Sequence, residues 1–174
     1  MLRIGLFIAL TAISARLKIV LPGNPVPITA QTFVVLAAGL VLGVREGAAS
    51  QIGYLILIAA GLPIDTNGIG AAAFASPTAG YLVAFVIGAA LAGLGAGRTL
   101  PIRIGAAFLG AASIHLFGTA WLAVVLHSFD KALAADIQFI PVDFGKALLA
   151  AALLYAGDSG LKALRASRKV TNAS

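Results

Sequence analysis

The sequence predicts an all-α integral membrane protein, a single domain (residues 1–174) built as one bundle of six transmembrane helices. Three observations predict this fold class. The chain is 60% hydrophobic and only 10% charged, whereas about 25% of the residues of a soluble domain are charged. Its apolar residues fall into runs of membrane-spanning size, for which about 20 residues are needed. Its Lys and Arg residues concentrate in alternate connections between these runs.

Six apolar runs give the predicted spans, and proline, glycine or charged residues end most of them. The spans are residues 4–21, 29–42, 48–62, 78–95, 102–126 and 139–157. The first span also has the look of a signal peptide, but it extends past Ala12 and Ser14, the small residues of a cleavage site. We therefore expect it to remain as the first helix. The second and third spans are short, which leaves a five-helix bundle or a re-entrant segment as alternatives.

The distribution of basic residues predicts the orientation of the bundle. Eight of them lie on one side of the predicted spans: Arg3, Arg45, Arg98, Arg103, Lys162, Arg165, Arg168 and Lys169. The opposite side has three: Arg16, Lys18 and Lys131. Because cytoplasmic segments carry the excess of Lys and Arg, both termini are predicted to be cytoplasmic. Residues 157–174 are then a basic cytoplasmic tail near anionic lipid, and no nucleic acid is expected as a partner.

Asp143 and Lys146 are two opposite charges inside the last predicted span, one helical turn apart. A charge at the centre of a bilayer costs roughly 2.5–3.5 kcal/mol even on the mildest scale, so it is kept mainly where it pairs or lines a polar cavity. The two side chains together offer a hydrogen-bond donor and an acceptor to a polar ligand within the membrane. The alternative is purely structural, since an Asp in a first helical turn is favoured there and a Lys three residues later pairs with it.

Two further polar segments lie on the outer side of the membrane in this predicted orientation. In residues 24–31, Pro25 and Pro27 predict an extended, unpaired connection, after which Thr29 and Gln31 open the second span. This segment either covers an outward pocket or simply separates two helices. The loop 64–77 contains Asn67, whose amide offers both a donor and an acceptor, although the loop reads equally well as a generic turn.

Residues that would support enzymatic or metal chemistry are few. The chain has no Cys, which excludes a thiol nucleophile and a zinc–cysteine site. His115 and His127 have no second ligand at metal-binding spacing, so we expect no metal site. Asp130 and Asp136 fall in the predicted outer loop 128–138, where solvated carboxylates are expected. We predict no catalytic residue, and the sequence contains no G-x-x-x-x-G-K-[ST] phosphate loop, so ATP hydrolysis is expected elsewhere.

Three segments, taken together, resemble the signature sequences of a known family. Residues 25–32 (PVPITAQT), 76–81 (SPTAGY) and 140–146 (IPVDFGK) are similar to those of the BioY family, the biotin-binding S components of energy-coupling factor (ECF) vitamin transporters. The chain departs from the family pattern at Ser76, Ala79 and Val142, where glycine is usual, and at residues 70–74, which replace a glycine-rich loop. These departures bear most on the loop around Asn67.

The resemblance implies a multi-pass protein of the bacterial inner membrane that binds biotin as its transported ligand and uses no cofactor. Asp143, Lys146 and Asn67 match family positions that line the biotin site. Thr29, Gln31 and Tyr81 lie in or beside the matching segments and complete the predicted substrate-binding set. The implied partners are a transmembrane coupling subunit and two ATP-binding-cassette ATPases. Small residues of the first helix form the predicted contact with the coupling subunit: Gly5, Ala9 and Ala12.

Two other functions of different kinds follow from the same residues. A stand-alone facilitator or proton-coupled carrier would titrate the Asp143–Lys146 pair during transport. A membrane enzyme or assembly factor would need a reactive residue near Asp143, and the sequence offers none. A different vitamin is the nearest alternative ligand, because a shared fold does not imply a shared pocket.

Overall fold

The computed structural model describes residues 1–171, with the side chains of the last helix described up to Leu161 and again at Leu164 and Arg165. Part of the predicted basic tail (Lys162, Arg168, Lys169 and residues 172–174) therefore lies outside the described side chains. The described chain forms seven α-helices, a two-stranded hairpin and one 3-10 helix. In chain order these are α1 Leu2–Ser14, β1 Lys18–Ile19, β2 Ile28–Thr29, α2 Gln31–Leu42, α3 Val44–Ala59, the 3-10 helix Gly70–Ala75, α4 Ala79–Gly93, α5 Leu100–Leu126, α6 Phe129–Asp136 and α7 Ile140–Thr171.

The first predicted span is too long, because α1 ends at Ser14 and not at residue 21. The chain then forms a short antiparallel hairpin in which Lys18 pairs with Thr29 and Ile19 pairs with Ile28. The turn of this hairpin contains Pro22, Pro25 and Pro27, and Gly23 adopts a φ of 78° there. The expectation of an unpaired connection in a purely helical fold is therefore wrong at this point.

A short helix occupies the outer connection that the sequence predicts as a loop. In α6, the Ser128 side chain caps the helix by accepting a hydrogen bond from the Lys131 backbone N–H at 3.3 Å. Asp130 in the first turn is favourably placed for the helix dipole. The last residue of α6, Asp136, points into the protein and is only 2% exposed. The prediction that this carboxylate is solvated is wrong.

Residue size is distributed as in a protein surrounded by lipid. Along α7 the buried apolar residues are the small Ala147, Ala150 and Ala151, whereas the larger Leu149 and Leu153 are exposed. Small residues between helices allow close backbone approach, which is how helices associate in a bilayer, where burying leucine gives little gain. Exposed leucines such as those of α7 are expected where a helix faces lipid.

Close backbone approach is clearest where α2, α3 and α4 meet. A Cβ placed on Gly39 of α2 would lie 2.1 Å from the Ala89 carbonyl oxygen of α4, and one on Gly47 of α3 would lie 2.9 Å from the Gly39 Cα. Gly43, with a φ of 82°, makes the break between α2 and α3. The second and third predicted spans are therefore two separate, tightly packed helices.

Two helices of the described chain are long and apolar enough to cross a membrane by length and composition: Leu100–Leu126 and Ile140–Leu161. Three other apolar helices are shorter: Leu2–Ser14, Gln31–Leu42 and Ala79–Gly93. The positions of the long, apolar fifth and sixth predicted spans are thus confirmed as α5 and α7. The count of six membrane crossings stays a prediction.

Candidate functional site

Three connecting segments meet at one end of the bundle. The hairpin contacts the segment after α3 through the Lys18 Nζ, which donates to the Thr66 carbonyl at 2.9 Å, and through Arg16, which donates to the Pro63 carbonyl. It contacts α6 through the Asn24 Nδ2, which donates to the Ala135 carbonyl at 3.0 Å. These bonds hold the hairpin, the segment after α3 and α6 together. The three form a layer, the roof, over the ends of α2, α4, α5 and α7.

A small cavity lies beneath this roof. Its apolar lining consists of Val26, Pro27, Ile28, Leu82, Phe85, Ile114 and Phe139, and its polar lining consists of Thr29, Gln31, Thr32, Thr66, Thr78, Tyr81 and Asp143. An apolar wall with a few convergent polar groups is the usual composition of a small-molecule site. The cavity volume is about 40 Å³, whereas drug-sized ligands occupy pockets of roughly 300–1,000 Å³. A vitamin-sized ligand therefore requires the walls to move apart.

Asp143 is the only ionisable carboxylate in this lining. It lies in the first turn of α7, 8% exposed, with its backbone N–H bonded to the Phe139 carbonyl. One carboxylate oxygen, Oδ2, accepts a hydrogen bond from the Thr32 hydroxyl of α2 at 3.1 Å. The other, Oδ1, accepts one from the Lys146 Nζ at 2.7 Å. These bonds satisfy a buried charge that would otherwise be costly.

Lys146 lies behind the cavity wall and not in its lining. Its Nζ donates to the backbone carbonyl of Thr29 at 2.6 Å as well as to Asp143, so it ties α7 to strand β2. The Lys146 side chain is 18% exposed and borders a separate, shallow groove beside the hairpin, together with Leu17 and Val142. Ile28 and Thr29 line both the cavity and this groove, so β2 separates the ammonium from the cavity.

Gln31 and Thr29 stand at the start of α2 on the cavity wall, as predicted for a polar segment at this end. The Gln31 Oε1 accepts from the Thr66 hydroxyl at 2.7 Å, and its Nε2 donates to the Tyr54 hydroxyl at 2.9 Å. The Thr29 hydroxyl accepts from the Gln31 backbone N–H at 3.2 Å. Gln31 thereby joins the loop after α3 to the bundle.

Asn67 is placed differently from the other predicted site residues. Its side chain is exposed and is not part of the cavity lining. The residue that organises this loop is the buried Asp65, whose carboxylate accepts backbone N–H bonds from Asn67, Ile69 and Gly70 at 2.8–2.9 Å. The structure therefore brings Asp143, Gln31, Thr29 and Tyr81 together with Lys146 behind them, and leaves Asn67 outside the lining.

A buried polar pair that the sequence analysis missed connects two of the predicted residues. The Tyr81 hydroxyl donates to the Asp136 Oδ1 at 2.7 Å, and the His115 Nδ1 lies 2.9 Å from the same oxygen. The His115 Nε2 faces the Asp143 Oδ2 at 3.6 Å. Along the sequence His115 has no partner at metal-binding spacing, whereas the fold brings Asp136 and Asp143 to its ring. The one sequence signal for this buried pair was the presence of His115 in an apolar span. Polar groups in such a span are usually kept because they have a partner.

The polar groups of the cavity lining can donate and accept hydrogen bonds. Among the described residues, no three His, Asp or Glu side chains are grouped so as to hold a metal ion. The hydroxyls of the lining come from Thr29, Thr32, Thr66, Thr78 and Tyr81. The chemistry that this arrangement supports is recognition of a polar ligand.

The buried small residues and exposed leucines fit the class of helical membrane proteins, and the polar cavity at one end is a candidate small-molecule site. Its fold is similar to the crystal structure of the S-component for biotin from an ECF-type ABC transporter, with a TM-score of 0.81 and 27% sequence identity over 90% of this chain and 88% of that one. The model of the BioY family matches residues 1–163, and the chain belongs to the BioY family.

Curated relatives agree with this assignment. The chain is 41% identical over 142 residues to the biotin transporter BioY of Rhizobium etli, in an alignment that covers 74% of this chain and 76% of the relative. It is 39% identical over 149 residues to the probable biotin transporter BioY of Pyrococcus horikoshii, covering 84% and 88%. It is 32% identical over 155 residues to the biotin transporter BioY of Thermotoga maritima, covering 87% and 90%. The resemblance read from three short segments therefore extends over most of the chain.

Proposed function

We propose that this protein is the biotin-binding substrate-capture subunit of an ECF-type vitamin uptake transporter. It binds biotin in the cavity beneath the three connecting segments and delivers it through an ATP-driven partner module. The observation that carries this proposal is the buried Asp143 carboxylate in the cavity lining, held by Thr32 and Lys146, in a chain of the BioY family. The relatives named as biotin transporters and the similar biotin S-component support biotin as the ligand.

In the proposed topology, α1, α2, α3, α4, α5 and α7 cross the cytoplasmic (inner) membrane of a bacterium and both termini are cytoplasmic. The cavity then opens to the outside, and α6 lies at the outer surface. Two features support this arrangement. Arg45 and Arg98 lie at the end of the bundle opposite the cavity, where cytoplasmic charge is expected. At that same end, Arg103 of α5 pairs with Asp158 of α7, so both helices run the length of the bundle.

The chemistry of biotin matches the groups on offer. Its ureido ring carries two N–H donors and one carbonyl acceptor, and its apolar tail ends in a carboxylate. Asp143 accepts a ureido N–H, and Lys146 donates to the carbonyl or neutralises the carboxylate once β2 moves. Gln31, Thr29 and Tyr81 supply further hydrogen bonds, and Asn67, which lies outside the present lining, reaches the ligand when the walls move apart. A site built to satisfy such groups strongly rejects analogues that lack them, because its own buried polar groups are left unpaired.

Delivery requires energy from partner subunits in this proposal. The sequence has no phosphate-binding loop of the ATPase type, so a coupling subunit with two ATPases supplies the hydrolysis. Gly5 and Ala9 are exposed on α1, which suits a small-residue contact with the coupling subunit, whereas Ala12 is partly buried against the core. We assign no enzymatic activity and no cofactor to this chain.

Uptake measurements separate this proposal from a self-sufficient carrier. In bacterial cells that lack their own biotin uptake, we expect labelled biotin to accumulate when this chain is expressed with a coupling subunit and two ATPases. We expect little accumulation when the ATPases carry an inactivating substitution in their phosphate-loop Lys, the matched control. Accumulation by the chain alone that collapses with the proton gradient would contradict the ATP-driven function and support the proton-coupled carrier.

A further inference from the structure

His115 and Asp136 form a buried pair directly behind the cavity. Asp136 at the end of α6 is 2% exposed and His115 in the middle of α5 is 6% exposed. Neither residue is part of the cavity lining, yet each contacts one that is. Asp136 accepts a hydrogen bond from the Tyr81 hydroxyl at 2.7 Å, and the His115 Nε2 lies 3.6 Å from the Asp143 Oδ2. The pair therefore connects two polar groups on different walls of the cavity.

The orientation of the imidazole follows from its partners. A carboxylate accepts hydrogen bonds only, so the His115 Nδ1, which lies 2.9 Å from the Asp136 Oδ1, is the donor in that bond. The ring is then fixed with its Nε2 towards Asp143, stacked 6.2 Å from the Phe144 ring, centroid to centroid. The Nε2 is the one buried side-chain polar atom in the described part of the chain with no hydrogen-bond partner. Such an atom in a membrane protein is expensive, which favours a functional reason for keeping it.

We propose that His115 and Asp136 are positioning residues for ligand binding, acting through Asp143 and Tyr81. This inference rests on the proposed function, because it concerns the same site. The polar line runs from Tyr81 on α4 through Asp136 and His115 to Asp143 on α7. This line of contacts fixes the Tyr81 hydroxyl. It also limits the rotation of the Asp143 carboxylate when β2 moves and the Lys146 ammonium moves with β2. A displacement of α6 would therefore shift Asp136 and His115 and, through them, the position of the Asp143 carboxylate.

A purely structural pair would behave differently in a double-mutant cycle. Residues that act through one another give non-additive effects, whereas a remote loss of stability adds to any other loss. The experiment compares equilibrium biotin binding by the purified protein with that of His115→Leu, His115→Gln, Asp143→Asn and the double variant His115→Leu/Asp143→Asn. Gln retains a hydrogen-bonding amide that reaches towards the position of Nε2, while Leu retains only volume.

We expect His115→Leu to weaken binding roughly tenfold, in line with other groups that orient a binding residue. His115→Gln should recover most of the lost affinity. In the Asp143→Asn background, His115→Leu should cause no further loss. Gln51→Leu is the matched control, since Gln51 is equally buried but lies between α1 and α3, where it contacts Thr11 and Ser50. We expect it to change thermal stability and leave biotin affinity unchanged.

The outcomes separate this inference from the function on which it rests. If the unaltered protein binds biotin and His115→Leu binds it equally well, the positioning role is overturned and the proposed function stands. Equal losses from His115→Leu with and without Asp143→Asn also overturn it, because they show an independent effect. If the unaltered protein does not bind biotin, the proposed function and this inference fall together. Should His115→Leu fail to fold, His115→Asn replaces it in the same cycle with Asp143→Asn, since the shorter amide keeps a donor near the position of Nδ1 and has no atom near that of Nε2.

Discussion

Asp143→Asn is expected to weaken biotin binding by roughly 100-fold while leaving the bundle folded, because hydrogen bonds to a charged group are worth about 1.5–3 kcal/mol. Asn has nearly the shape of Asp and can still accept from the Thr32 hydroxyl. It removes the negative charge that pairs with Lys146 and that a ureido N–H would meet. It also leaves the Lys146 ammonium without its carboxylate partner.

The measurement is equilibrium binding of biotin to the purified variant in detergent, with folding checked by gel filtration and thermal unfolding. Asp130→Asn is the matched control, since Asp130 lies in the first turn of α6 and is exposed. We expect that control to bind as the unaltered protein does. An Asp143→Asn protein that is folded and keeps the original affinity would show that this carboxylate serves only to begin α7.

Lys146→Ala is expected to weaken biotin binding by roughly 30-fold or more, from the loss of a charge-assisted hydrogen bond and the burial of an unpaired carboxylate. The Lys146 Nζ makes two bonds, to the Asp143 Oδ1 at 2.7 Å and to the Thr29 carbonyl at 2.6 Å. Its removal frees β2 from α7, so the hairpin is also expected to become more mobile. Both binding and hydrogen exchange of the hairpin amides report this change.

Lys131→Ala is the control for Lys146, because Lys131 is an exposed cation of α6 on the same predicted side. We expect it to alter neither affinity nor hairpin exchange. The two main variants also decide between the two interpretations of the Asp143–Lys146 pair. Biotin affinity unchanged in both Asp143→Asn and Lys146→Ala would mean that the pair is structural and that the ligand site lies elsewhere.

The long helices were predictable because their signal is strong. A long and mostly apolar run predicted α5 to within two residues at its start, where residue 102 was predicted and Leu100 is observed. The start of α7 was also predictable, since Pro141 suits a first helical turn and residue 139 was predicted against Ile140 observed. The family resemblance depended on the same local information, three short segments in order along the chain.

The hairpin and α6 were not predictable by the same means. Each strand of the hairpin has two residues, too few for an alternating pattern to be visible. The α6 segment has a capping Ser128 and an acidic first turn, but its eight residues give a weak periodic signal beside the longer helices. These short elements make the roof of the cavity, so its shape was not accessible from the sequence.

The site was only partly predictable for a related reason. Asp143 and Lys146 are three residues apart, and helical geometry alone places them side by side. Asp136 meets His115 and Tyr81 across separations of 21 and 55 residues, which no local spacing reveals. Asn67 was expected in the site from its amide and the family pattern, but the buried Asp65 holds this loop so that the Asn67 side chain is exposed.

The most direct test of the proposed function is biotin binding to the purified protein alone, in detergent and without ATP, with desthiobiotin and thiamine as comparators. We predict tight one-to-one binding of biotin, binding of desthiobiotin as well, because it keeps the ureido group, and no binding of thiamine. This result would establish a substrate-capture subunit that recognises its ligand without its partners. Absence of biotin binding by a folded, monodisperse sample, or binding of thiamine in its place, would contradict the account and assign the cavity to another ligand.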